Sequence, residues 1–111
     1  MKTAQIFILS FLISVATVCS YAQNNNKTLV LVSANWCHFC KVAKTDIEKN
    51  SELSEAVKKY EIIEIDFDAD KDFVNGYNIK TIPTFIILDN KKEIKRQTGY
   101  RNPRQLLKFL N

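Results

Sequence analysis

The sequence predicts an α/β domain, a four-stranded mixed sheet flanked by helices, and three observations carry that expectation. A β-branched and leucine run at 28–33 (TLVLVS) is followed by apolar residues at helical spacing and then by an alternating EIIEIDF, the strand–helix–strand order of a parallel pair. Two later strand patterns meet across Asp89-Asn90-Lys91-Lys92, which predicts an antiparallel hairpin. The chain has 111 residues, room for one modest core and a single ordinary domain.

In chain order, Gln23 and the polar NNNK at 24–27 form a flexible leader, and the strand at 28–33 ends just before the cysteines. After Trp36-Cys37-His38-Phe39-Cys40, apolar Phe39, Val42, Ala43 and Ile47 recur on one helical face, predicting a helix from about Phe39. A break at Asn50-Ser51 follows. Leu53, Ala56, Val57 and Tyr60 then resume the pattern, predicting a second helix from about Glu52 with Ser51 as its N-cap. Ile63, Ile65 and Phe67 alternate as a second strand, and 71–77 is a short helix that Asn78 ends in the left-handed conformation. A third strand occupies 84–88 (TFIIL) and a fourth 93–98 (EIKRQT). Asn102 as N-cap, Pro103 at the first helical position, and Leu106, Leu107 and Leu110 on one face describe a closing helix. The order is β-α-(α)-β-α-β-β-α without internal repeat, domain boundaries falling at 1–22, 23–27 and 28–111.

Residues 1–22 have the pattern of an export signal. Lys2 gives a positive start, 6–18 is a mostly apolar stretch of 13 residues, and Ser20-Tyr21-Ala22 places small residues at −3 and −1 of a cleavage site. A bilayer span takes about 20 residues, which favours a cleaved secretory signal over a retained membrane anchor. A lipoprotein reading would acylate Cys19, but Val18 is bulkier than the residue expected before such a cysteine. Cleavage leaves Cys37 and Cys40 as the only thiols, in a periplasmic or extracellular compartment where disulfides persist.

Hydrophobic residues at 46% and charged ones at 25% exclude a disordered or multi-span chain. The 16 basic against 12 acidic residues give +4, but the bases are scattered rather than gathered on one element, so nucleic acid is not an expected partner.

A cysteine in the first turn of a helix faces free backbone N–H groups and the positive end of the helix dipole, which favour the thiolate. Cys37 is therefore the attacking cysteine and Cys40, a turn further in, the resolving one. His38 adds positive charge when protonated and Phe39 keeps the loop apolar; both tune the couple. The sequence Ser33-Ala34-Asn35-Trp36-Cys37-His38-Phe39-Cys40-Lys41, with Thr81-Ile82-Pro83-Thr84 ahead of an apolar strand, resembles the thioredoxin superfamily over nearly all of 28–110. The chain looks most like its exported thiol:disulfide interchange domains, with a reduced N-terminus.

The resemblance implies a thioredoxin-like fold and a cis Pro83 that sets the Ile82 backbone beside Cys37 to pair with an extended substrate. It implies no bound cofactor other than the Cys37–Cys40 disulfide, no metal, and protein thiols and disulfides as partners, with a membrane or soluble redox partner and a monomeric chain. Three departures stand out. His38-Phe39 replaces the usual Gly-Pro, so the family's redox poise does not transfer. Leu31 stands where the family's buried aspartate accepts the resolving cysteine's proton. Glu64, at the position of that aspartate's lysine partner, is the candidate substitute acceptor, acting through water.

Plainer readings exist for the same residues. Cys37 and Cys40 as a structural staple would close too short a loop to constrain the unfolded chain much. With His38 they fall short of the four ligands of a closed zinc site, and Lys41 excludes the C-x-x-C-H haem signature. Trp36 could be a core aromatic and His38 a solvated loop residue. Asp66, Asp68 and Asp70 imitate a calcium loop, but Lys71 stands where glycine is needed and Tyr77 where the bidentate glutamate is needed, leaving a solvated strand end and helix cap. Lys91, Lys92, Lys95, Arg96, Arg101 and Arg104 are solvated faces, or else a dock for an acidic partner. The expected activity is thiol:disulfide exchange, in the reducing direction because no second domain or dimerisation element of an isomerase is evident. An oxidant or isomerase, or a non-catalytic binding or chaperone module using the same groove, is the alternative.

Overall fold

The computed structural model describes residues 27–111, so the export segment 1–22 and the leader as far as Asn26 lie outside the described residues. The elements are β1 (Lys27–Ser33), α1 (His38–Lys49), α2 (Ser51–Val57), β2 (Tyr60–Asp66), α3 (Lys71–Gly76), β3 (Thr84–Asp89), β4 (Lys92–Thr98) and α4 (Pro103–Leu110). The sheet order is β2-β1-β3-β4, with β2 parallel to β1 and the β1–β3 and β3–β4 pairs antiparallel.

β1 and β3 are central and buried on both faces, which is why they read as continuous apolar runs. Leu29, Leu31, Phe85 and Ile87 point to one side and pack with Ala43, Leu53, Ala56, Val57, Leu106 and Leu110 of α1, α2 and α4. Val30, Val32, Ile86 and Leu88 point to the other side and pack with Val74 and Ile79, on and just after α3. Helices thus cover both faces of a mixed sheet. Among the described residues no helix is long and apolar enough to cross a membrane.

Four boundaries differ from the sequence reading. Lys27 pairs with Tyr60 and belongs to β1 rather than to the leader. Asn50, not Ser51, caps α2: its backbone turns extended (φ −83°, ψ 119°), ending α1, and its side-chain oxygen accepts from the Leu53 N–H at 3.1 Å. One residue therefore does both jobs, and Ser51 becomes the first helical position. Tyr60 leaves the helical pattern to open β2, where its hydroxyl donates to the Leu110 carbonyl at 2.6 Å. The hairpin is tighter than expected, a two-residue turn in which Asn90 (φ 54°) and Lys91 (φ 67°) are both left-handed, so Lys92 is already strand. Asn78 (φ 56°) ends the α3 segment in the left-handed region as expected, and Asn102 and Pro103 start α4.

Candidate active site

Strand β1 delivers the chain to its C-terminal edge, where Ala34, Asn35 and Trp36 turn it into α1. Cys37 is the N-cap of that helix: its backbone is extended (φ −88°, ψ 110°), and its Sγ accepts from the Cys40 N–H at 3.2 Å. No acidic residue occupies the first turn to compete for the helix dipole. The sulfur of Cys37 thus sits where a backbone donor and the helix N-terminus both favour negative charge.

Cys37 and Cys40 are joined by a disulfide with Cα atoms 5.3 Å apart. Both are buried, Cys40 completely and Cys37 with a remnant of exposure, and Ala34, Phe67 and Ile82 pack around them. Both cysteines therefore belong to one small apolar cluster at the head of α1, with Cys40 the more deeply buried. Ile82 is brought to this cluster by the loop before β3, the Ile82–Pro83 peptide bond is cis, and Pro83 is fully buried. The Pro83 carbonyl accepts from the Gly99 N–H at 2.7 Å, and Gly99 needs its positive φ of 85° to make that approach after β4.

Two aromatic side chains flank the disulfide in the open. Trp36 is 65% exposed and Phe39 60%, so Trp36 is a surface side chain and the core-aromatic reading is corrected. Its indole N–H donates to Asp68 Oδ2 at 2.8 Å, which fixes the ring without burying it. His38 is exposed and meets Phe39 edge-on, ring centroids 5.3 Å apart. Together they leave an exposed aromatic platform beside the Cys37–Cys40 pair.

Glu64 lies on β2 opposite Leu31, on the sheet face that α1 covers. It accepts from the buried Ser33 hydroxyl at 2.8 Å and forms an ion pair with Lys44, the residue one helical turn after Cys40. The Lys44 hydrogen bond holds its carboxyl below the usual carboxylate range against partial burial, with Ser33 helping. A small polar hollow of about 280 Å³ opens here, lined by Ser33, Ala34, Asn35, Glu64 and Asp66. The sequence reading missed Ser33, Lys44, Phe67 and Asp68 as neighbours of the site. Phe67 carried a signal in the alternation with Ile65; Asp68 carried none that separates it from Asp66 or Asp70, which cap a turn and α3.

Residues 14–111 match the family model of thioredoxin. The chain is 26% identical over 102 residues to a thioredoxin of Chlamydia trachomatis, covering 90% of this chain and 97% of that one. It is 30% identical over 89 residues to a thioredoxin H-type of Fagopyrum esculentum, covering 79% and 74%. Among solved structures, a thioredoxin-fold protein from Helicobacter pylori superposes with a TM-score of 0.72 at 19% identity, covering 78% of this chain and 68% of that one. Trxlp from Edwardsiella tarda superposes at 0.66 and 25% identity, covering 86% and 91%.

Proposed function

The chain belongs to the thioredoxin family and is a thiol:disulfide oxidoreductase built on Cys37 and Cys40, and from that premise we propose that it is an exported reductant of protein disulfides. The observation that carries the chemistry is the Cys37–Cys40 disulfide at the start of α1, with Cys37 as the N-cap whose sulfur accepts from the Cys40 N–H.

In the reducing direction the Cys37 thiolate attacks one sulfur of a substrate disulfide, and the other leaves as a thiolate that takes a proton from water. Cys40 then loses its proton and attacks the Cys37 sulfur of the mixed disulfide, releasing the second substrate thiolate and forming Cys37–Cys40. Two electrons pass from the protein dithiol to the substrate. A membrane or soluble redox partner returns them. Trp36, His38 and Phe39 form the face on which an extended substrate lies, with the Ile82 backbone beside it. Glu64 is the acceptor for the Cys40 proton, relayed through water in the hollow it shares with Ser33. Support comes from its position in the hollow beside Ser33 and from Lys44, one helical turn after Cys40, which ties it to α1. Export rests on the pattern of residues 1–22, and the reducing direction on the likeness to thioredoxins.

Insulin reduction by the purified protein tests the exchange: Cys37→Ser abolishes it, and Cys40→Ser accumulates a mixed disulfide. Full activity in Cys37→Ser would overturn the assignment. The direction is read from the reduction potential of the couple, followed by Trp36 fluorescence in graded thiol buffers. A value below roughly −200 mV fits a reductant, and one above roughly −150 mV would make the protein a disulfide donor instead. Glu64→Gln slows resolution of the mixed disulfide while leaving its formation unchanged; an unaltered resolution rate removes Glu64 from the mechanism.

A further inference from the structure

We infer that the backbone N–H of Phe39 becomes a second hydrogen-bond donor to the Cys37 sulfur when the disulfide opens, and that it makes the couple more oxidising than a proline at that position would. This rests on the redox reading in which Cys37 is the attacking cysteine.

The cap side chain of a helix accepts from the amide two or three positions further on. Cys37 caps α1, so the two amides within its reach are those of Phe39 and Cys40. The Cys40 N–H already donates to Cys37 Sγ at 3.2 Å. Phe39, at the second helical position, has no acceptor four residues back within the helix, and among the described residues no turn or loop bond takes its N–H. Opening the disulfide with two electrons breaks the S–S bond, Cys40 takes up one proton, and Cys37 is left as a thiolate able to accept from both amides. A hydrogen bond to a charged acceptor is about twice as strong as one to a neutral acceptor, so the Phe39 donor favours the reduced form over the oxidised one. Favouring the reduced form raises the potential.

Residue type decides whether that donor exists. The Gly-Pro that usually stands between such cysteines puts proline at this position, and proline has no N–H. The ring of Phe39 is a separate matter: it is 60% exposed and is not among the side chains packed on the cysteines, which are Ala34, Phe67 and Ile82. The charged groups around the pair are His38 and Lys41 at the head of α1, Lys44 with Glu64, Asp68 on the Trp36 indole and Lys71 over the Phe67 ring. Substitution of Phe39 leaves all six in place.

Two variants of the purified protein separate amide from ring, since Phe39→Pro lacks both and Phe39→Ala lacks only the ring. The pH dependence of iodoacetamide alkylation of the reduced protein reads the Cys37 thiolate. Its ratio to thiol at a given pH is expected to fall about tenfold in Phe39→Pro and to stay within about twofold in Phe39→Ala. Above the thiolate midpoint of both proteins, the glutathione equilibrium of Phe39→Pro shifts by the same tenfold, to a potential about 30 mV lower; below both midpoints, where each sulfur is a thiol, the difference vanishes. Equal shifts in the two variants, no shift in Phe39→Pro, or a potential difference that is the same at every pH overturns the proposal. Independently of how well Phe39→Pro folds, the Phe39 amide proton of the reduced wild type is expected to move downfield in NMR as Cys37 titrates, and an amide indifferent to that titration overturns the proposal too. Mapping the alkylated residue tests the premise separately: label on Cys40 in place of Cys37 would overturn the assignment of the attacking cysteine, whichever way the Phe39 variants behave.

Discussion

Glu64 and Asp68 belong to one acidic stretch, yet each has a different task because of a single neighbour. Glu64 meets Lys44 and Ser33 under the helix that carries Cys40; Asp68 receives the Trp36 indole N–H and holds that ring at the disulfide. The cysteine pair, Pro83 and Ile82 were legible in the sequence, because their chemistry is carried by residue type and spacing. Which aspartate meets an indole 32 residues away was not, since that depends on how a loop closes after β2. Backbone strain is equally hidden until the turn is seen. Lys91 holds φ 67°, a conformation costing a side-chain-bearing residue roughly 1–2 kcal/mol, and it follows a left-handed Asn90. Lys91→Gly is expected to stabilise the protein by about 1 kcal/mol in urea unfolding, with unchanged redox activity. An unchanged or lower midpoint would mean that the turn carries no strain worth relieving.

Strands and helices were easier to read than their ends. The two central strands announced themselves as apolar runs, and α4 by Asn102, Pro103 and its leucines, because burial and capping leave local marks. The α1–α2 break was also visible, but its cap was misplaced by one residue: Asn50 and Ser51 are both good caps, and only the extended backbone of Asn50 decides between them. What joins elements is less local still. Arg96 on β4 grips Glu93 with two hydrogen bonds of 2.6 and 2.7 Å and donates to the Tyr77 carbonyl at 2.7 Å, tying the edge hairpin to the end of α3. Arg96→Met keeps the stem and removes all three bonds, so a loss of about 2–3 kcal/mol is expected in urea unfolding. The Arg96 hydrogen bonds hold the Glu93 carboxyl below its usual range, so this part of the stability is present above the ordinary glutamate value and fades as the pH falls below it. The variant's deficit should therefore shrink in acid. A deficit equal at pH 7 and pH 3 would assign the effect to packing instead.

Across the whole molecule, the helices on the α1 side are fastened to the sheet by two tyrosine hydroxyls. Tyr100 donates to Asp46 of α1 at 2.6 Å while its ring packs with Phe85 of β3, and Tyr60 of β2 donates to the Leu110 carbonyl of α4. Both phenols lie in the layer between sheet and helices. Burial pushes each above the ordinary tyrosine value, and for Tyr100 the bond to the Asp46 carboxylate pushes further in the same direction. The native state therefore keeps these protons at a pH where the unfolded chain has begun to lose them. Folding stability is unaffected by these groups at neutral pH and falls as the pH rises past about 10, the unfolded tyrosine value. Tyr100→Phe leaves Asp46 without its donor and is expected to cost about 1–2 kcal/mol at pH 8. It also removes the strongest of the alkaline linkages, so the mutant and wild-type stabilities converge between pH 10 and pH 11.5. Urea midpoints at those pH values measure the convergence, and two curves running parallel across the range would place the alkaline sensitivity elsewhere in the fold.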